Sequence, residues 1–275
     1  MMEYAMIASG SKGNCFVMRD GTTSLMIDCG TTKKYLMASF DKLGFSRDEI
    51  DALLITHDHS DHVSQIRHFR DLSIYSPVEL PDIDTFHVQP LKPFVLETLK
   101  ITPLALSHDA LNTTGYVIES GTEKLVYVTD TGYLNQRYLP FLKGADHIIM
   151  ESNHDVGMLM RTARPQYLKA RIYSDQGHLC NEDCASILNE IITEKTESVV
   201  LAHISQEANT REKALEVTVS YLRENHRGPV SRNLVISAAG QNEIIRRRWN
   251  HEEMDPGTVS CAFGLEYPAD LWTVE

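Results

Sequence analysis

Ile55-Thr56-His57-Asp58-His59-Ser60-Asp61-His62 closes the apolar run Ala52-Leu53-Leu54-Ile55, and its reading decides the fold. It packs three imidazoles and two carboxylates into six residues. Neutral imidazole and carboxylate oxygen are the ligand types that suit zinc, manganese or iron. The apolar run predicts a buried strand over Ala52–Thr56, the donors lie in the loop beyond it, and His62 or Val63 opens the next helix.

Upstream, Cys15–Arg19 and Ser24–Asp28 read as strands joined by the hairpin turn Asp20-Gly21. A helix follows from Thr32 to Leu43, with Leu36, Phe40 and Leu43 on one face and Gly44 as its stop. Downstream, strands are predicted over Leu99–Leu106, Gly115–Glu119, Lys124–Thr129, His147–Glu151, Ser198–Ala202 and Leu234–Ser237. Helices are expected over Asn181–Thr193, with Asn181 as N-cap, and over Thr210–Glu224. Two strand-rich halves, each closed by helices, predict an α/β sandwich rather than one doubly wound sheet. The expected organisation is a single domain over 1–249 and a tail over 250–275 that lacks periodicity.

The 275 residues are 42% hydrophobic and 23% charged, the profile of a globular chain with a substantial core. A net charge of −12 gives no global attraction to polyanions, so any nucleic-acid grip must be local. Five cysteines in no paired spacing read as reduced thiols. The N-terminus has no basic and then apolar signal pattern, and no run approaches the ~18 apolar residues that span a bilayer. The expectation is a soluble cytoplasmic protein with no membrane association.

Three further donors close strand-like runs: His108 after Ile101–Ser107, Asp130 after Leu125–Thr129, and His203 after Val199–Ala202. Each alone would be read as structural, but with the dense motif they make a seven-ligand set for two divalent ions. His57, His59 and His108 would hold one, Asp61, His62 and His203 the other, with Asp130 bridging. Two such ions about 3.5–4 Å apart share and acidify a hydroxide, so no protein nucleophile is needed. No Gly-x-Ser-x-Gly elbow is present.

These motifs over residues 1–245 resemble the metallo-β-lactamase fold superfamily. The resemblance implies a four-layer αββα sandwich with a binuclear site of zinc, manganese or iron. It implies that Asp28 orients the site from behind the ligands, with Asp58 and His154 as further candidates for that role. The blocks Ala8–Asn14, Glu151–Asp155, Gly177–Ala185 and Leu201–Ser205 look like the YycJ/WalJ branch of single-domain phosphodiesterases. Two positions depart from that pattern: Cys180 stands where Ser is expected, and Ala208-Asn209 where Asn-Asn is expected.

The implied activity is a metal-dependent phosphodiesterase, a DNA rather than RNA exonuclease running 5′ to 3′. Its expected catalytic residues are His178 and Asp61, and a positioned histidine is worth about 10²–10⁴-fold as general acid. His178 precedes a helix start, where anions bind. Arg161, Arg164, Lys169 and Arg171 are the expected substrate contacts. The rivals are a glyoxalase II-like thioester hydrolase, which would need a basic glutathione clamp not found here, and a non-catalytic nucleic-acid-binding member, against which the intact ligands argue.

Overall fold

The computed structural model describes residues 1–251 and 258–263. The chain divides into two compact units. One comprises residues 1–105, 110–123 and the segment from 240, and the other residues 106–109, 124–239 and the described residues 258–263.

In the first unit, β1 (Met2–Ala8), β2 (Cys15–Asp20) and β3 (Thr23–Ile27) run antiparallel, with the Asp20-Gly21 turn where the sequence puts it. Thr32 caps α1 (Lys33–Leu43) by accepting from the Tyr35 amide, and Gly44 ends it in the left-handed region at φ 59°. The chain then enters β4 (Ala52–Leu54), parallel to β3, and α2 (Ser60–Val63). This helix begins two residues before His62, with His59 as its N-cap, so the second half of the motif, Ser60-Asp61-His62, lies in the helix rather than ahead of it. β5 (Ser73–Ser76) and β6 (Phe86–His87) continue the sheet in parallel. The strands β7 (Phe94–Leu96), β8 (Leu99–Ala105) and β9 (Thr114–Glu119) form an antiparallel ladder. Ile7, Val17, Met26, Leu36, Phe40, Leu53 and Trp249 share one buried cluster beneath the seven-stranded sheet.

The second unit is a parallel array of β10 (Lys124–Val128), β11 (His147–Glu151), β12 (Ser198–Ala202) and β13 (Val235–Ala238). β11 and β12 are buried at every residue, so they read as continuous apolar runs without alternation. Its helices are α3 (Leu139–Leu142), α4 (Val156–Arg161), α5 (Gln166–Tyr173), α6 (Asn181–Ile191) and α7 (Arg211–Asn225). α6 buries Cys184, Ala185, Leu188 and Ile191, the stripe that its 3.6-residue period predicts. Its N-cap is Cys180, whose Sγ accepts from the Asp183 amide, and Asn181 is the first helical residue.

One segment of the expected tail is a strand. After β14 (Ile245–Arg247), which pairs with β1, the segment β15 (Val259–Ala262) pairs antiparallel with β13. A strand this short carries too few residues for its period to show. The remainder, 252–257 and 264–275, lies outside the described residues. Among the described residues no helix is long and apolar enough to cross a membrane.

Candidate metal centre

Parallel strands deliver their C-terminal ends at one level, and in this chain those ends carry the candidate ligands. In the first unit Ile27 pairs with Leu54, so Asp28 and the segment from Ile55 to His57 leave the sheet side by side. Asp28 is buried at φ 58° and gathers three donors: Thr56 N at 2.9 Å, Thr56 Oγ1 at 2.8 Å and His62 Nδ1 at 2.8 Å. Burial pushes the Asp28 carboxyl above the ordinary carboxylate range, and the His62 and Thr56 donors draw it back. With Nδ1 turned to Asp28, the ligand atom that His62 presents is Nε2. That nitrogen lies 2.9 Å from Asn14 Nδ2, so a metal there would exchange for this hydrogen bond.

The three motif rings are packed together, His57 to His62 at 4.0 Å and His57 to His59 at 4.6 Å between centroids. Thr56 Oγ1 lies 3.0 Å from His57 Nδ1. Asp61 Oδ2 stands 3.6 Å from His62 Nε2. The loop is pinned at Gly30, where a Cβ would stand 1.6 Å from the Asp61 carbonyl oxygen. Only glycine permits that approach. Asp58, in contrast, is exposed and makes no hydrogen bond or ion pair among the described residues. Its expected role behind the ligands has no contact to support it.

In the second unit the register Val128↔Met150 and Glu151↔Ala202 brings the ends of β10, β11 and β12 together. Asp130, Glu151 and His203 follow from those ends, joined by His178 from the loop after α5. These four residues each offer a ligand atom, and the atoms all lie within 4.8 Å of one another. Asp130 and His203 both sit in the left-handed region, at φ 59° and 54°. Such backbone costs about 1–3 kcal/mol and clusters at functional sites. Asn153 holds the second of them by donating from Nδ2 to the His203 carbonyl at 2.8 Å.

Glu151 is the centre of this cluster. Its Oε1 accepts from His178 Nδ1 at 2.8 Å and His203 Nδ1 at 2.9 Å, and its Oε2 from Thr131 N at 2.9 Å and Leu179 N at 3.1 Å. Burial opposes its ionisation, but His178 and the other donors outweigh it and hold the carboxyl below its usual range. Both rings present Nε2 away from this carboxylate. His108 joins the same wall: its Nδ1 lies 3.0 Å from the Gly177 carbonyl, and its ring centroid 4.9 Å from that of His178. Burial lowers the His108 pKa against the pull of Asp130, which favours the neutral, ligating imidazole.

Glu151 was not among the predicted site residues, although it ends a strand as Asp130 and His203 follow theirs. That shared position was the signal. His154, expected to support the site, is fully buried, and neither ring nitrogen has a hydrogen-bond partner among the described residues. Of the four basic residues, Arg164 pairs with Glu207 at 2.8 Å and Arg171 pairs with Asp109. Lys169 departs from expectation: it is buried, and its Nζ donates to the Met160 carbonyl at 2.7 Å, closing the end of α4. Arg161 is exposed.

The donor set of the second unit, imidazole nitrogens with buried carboxylates, fits a divalent ion, and the first unit offers imidazoles of the same ligating type. The family described as Beta-lactamase superfamily domain matches residues 23–204. Exodeoxyribonuclease YycJ of Bacillus anthracis is 33% identical over 240 residues, which cover 81% of this chain and 89% of the relative. Exodeoxyribonuclease WalJ of Streptococcus pneumoniae is 30% identical over 240 residues, 81% of this chain and 88% of the relative. The crystal structure of the metallo-beta-lactamase fold protein YhfI from Bacillus subtilis is similar with a TM-score of 0.64 at 18% identity, covering 89% of this chain and 98% of that one. At that identity the likeness concerns the fold, which is the α/β sandwich class expected from the sequence. The chain therefore belongs to the β-lactamase superfamily, has the metallo-β-lactamase fold, and is related to YycJ and WalJ.

Proposed function

We propose that this chain is a metal-dependent exodeoxyribonuclease that degrades DNA from the 5′ end in the cytoplasm. The observation that carries the reading is the Asp130–Glu151–His178–His203 cluster, whose ligand atoms lie within 4.8 Å of one another. The relatives named exodeoxyribonuclease support the substrate class. In this reading His57, His59, Asp61, His62, His108, Asp130 and His203 hold two divalent ions, zinc, manganese or iron. When bound, such ions acidify water and neutralise charge on a phosphodiester.

The remaining steps belong to the chain's own side chains. Asp28 and Glu151 fix the tautomers of His62, His178 and His203 by accepting from Nδ1. His178, partly exposed and held through Nδ1 by Glu151, acts as the imidazolium: it gives its Nε2 proton to the leaving oxygen and returns to the neutral Nδ1–H tautomer, and Asp61 is the second catalytic residue of this reading. Arg161, Arg164 and Arg171 grip the phosphate backbone, and Lys169 serves them by shaping the α4–α5 corner.

End-labelled DNA, labelled RNA and a lactoyl thioester, each offered under defined Zn²⁺ and Mn²⁺, test this. DNA should shorten from its 5′ end only with metal, and His59→Ala should slow it by about 100-fold or more. Turnover of the thioester alone, or DNA cleavage that survives His59→Ala, would refute the reading.

A further inference from the structure

Residues 156–174 carry Arg161, Arg164, Lys169 and Arg171 and no Asp or Glu, within a chain whose net charge is −12. On this local basic segment stand the most exposed aromatic rings among the described residues of the second unit, Tyr167 at 72% and Tyr173 at 56% exposure, and Met160 is exposed as well. Tyr167 and Arg171 lie four residues apart on one face of α5. Rings of this size left in water contribute little to the core. Arg164 and Arg171 are paired with Glu207 and Asp109, and Arg161 stays exposed; an exposed flat ring on a segment with such a cation is what an unpaired nucleobase stacks upon.

The patch is fastened to the candidate site at the C-terminal end of α5. The His178 amide donates to the Ile172 carbonyl at 2.9 Å, one residue before Tyr173. A Cβ on Gly177 would stand 2.1 Å from that same carbonyl oxygen, so the turn into His178 is drawn tight against the end of α5. Arg171 pairs with Asp109, next to His108. At the other end the buried Lys169 of α5 donates to the carbonyl of Met160, the residue before Arg161, and so ties α5 to the end of α4.

We infer that Tyr167 and Tyr173 form a base-stacking platform for the single-stranded end of a DNA substrate, with Arg161 on its phosphates. The inference rests on the nuclease reading above and names the form of DNA that reaches the site: an unpaired strand, recognised through its bases without regard to sequence. An abasic strand offers the same phosphates without the rings, and so separates stacking from charge.

The test is fluorescence anisotropy of the metal-loaded full chain with two labelled strands, one of thymidines and one abasic, both with phosphorothioate links that block turnover. Tyr167→Ala should weaken binding of the thymidine strand by about 5- to 150-fold and leave the abasic strand unchanged. Tyr167→Phe should restore it, because the ring is kept. Tyr173→Ala should act in the same direction, with its melting temperature measured because Tyr173 also packs edge-on to His154 at 6.2 Å. Equal weakening on both strands, or none on either, would overturn the platform. Ordinary-linkage DNA is offered to the wild-type chain in parallel. Cleavage there with unchanged Tyr167→Ala binding removes the platform alone, whereas DNA left uncut under every metal removes the nuclease reading and the platform with it.

Discussion

His154 is a neutral imidazole kept in the dark of the second unit, and its pKa falls to about 4 because burial penalises the cation. In the unfolded chain the same ring titrates near 6.5, so below that pH the unfolded state binds a proton that the native state refuses. Stability contributed at this position is present above pH 6.5 and is lost as the pH falls toward 4, by about 2 kcal/mol between pH 7 and pH 5. Urea midpoints at those two pH values should therefore diverge in the wild-type chain and converge in His154→Leu; equal slopes in the two would discard the assignment. At this scale the sequence was most legible where residue types are dense. The His57–His62 motif announces itself, whereas Glu151 is one carboxylate at the end of an apolar strand, and its four donors come from positions 131, 178, 179 and 203. No window along the chain contains that convergence. Asp58 is the opposite case, a residue of the right type in the right motif that faces solvent.

Among the elements, α6 shows how a small substitution is carried by its surroundings. Cys180 occupies the N-cap with a thiol whose Sγ reaches the Asp183 amide at 3.4 Å, and burial pushes that thiol up to about 12. A hydroxyl is the better acceptor in this position, so Cys180→Ser should stabilise the chain by about 0.5–1 kcal/mol. The urea midpoint is the readout, and a midpoint that falls would mean that the sulfur's packing outweighs the cap. The helix itself was legible from its apolar stripe, as were α1 with its Gly44 stop and the buried strands. The N-cap was misplaced by one residue because asparagine is the commoner cap and its neighbour gave no competing signal. Asn181 instead works inside the first turn, accepting from Ser152 Oγ at 2.8 Å and exchanging bonds with Asn209. β15 was illegible for another reason: its identity as a strand comes from the partner β13, not from its own four residues.

For the whole molecule, the sequence conveyed the class of architecture and the local nature of any polyanion attraction, but not the division into two compact units, since contacts far apart in sequence define them. Metal should matter to this scale as much as to the chemistry. A ligand held at a hundredfold its Kd adds about 2.7 kcal/mol to stability, which for a chain of this size corresponds to a Tm rise of about 5–10 °C. Stripping with chelator and restoring Zn²⁺ or Mn²⁺ should lower and recover Tm by that order; a Tm indifferent to both would mean that the native state holds no ion. The alignment of β10, β11 and β12 adds a corollary. A slip of one residue in any of these strands would carry its end by about 3.3 Å and turn its side chains to the opposite face. The donors at 130, 151 and 203 could then no longer meet, so an ion held there would act as an inspector of strand registration, and the metal-to-protein ratio of a preparation would measure how much of it has folded correctly.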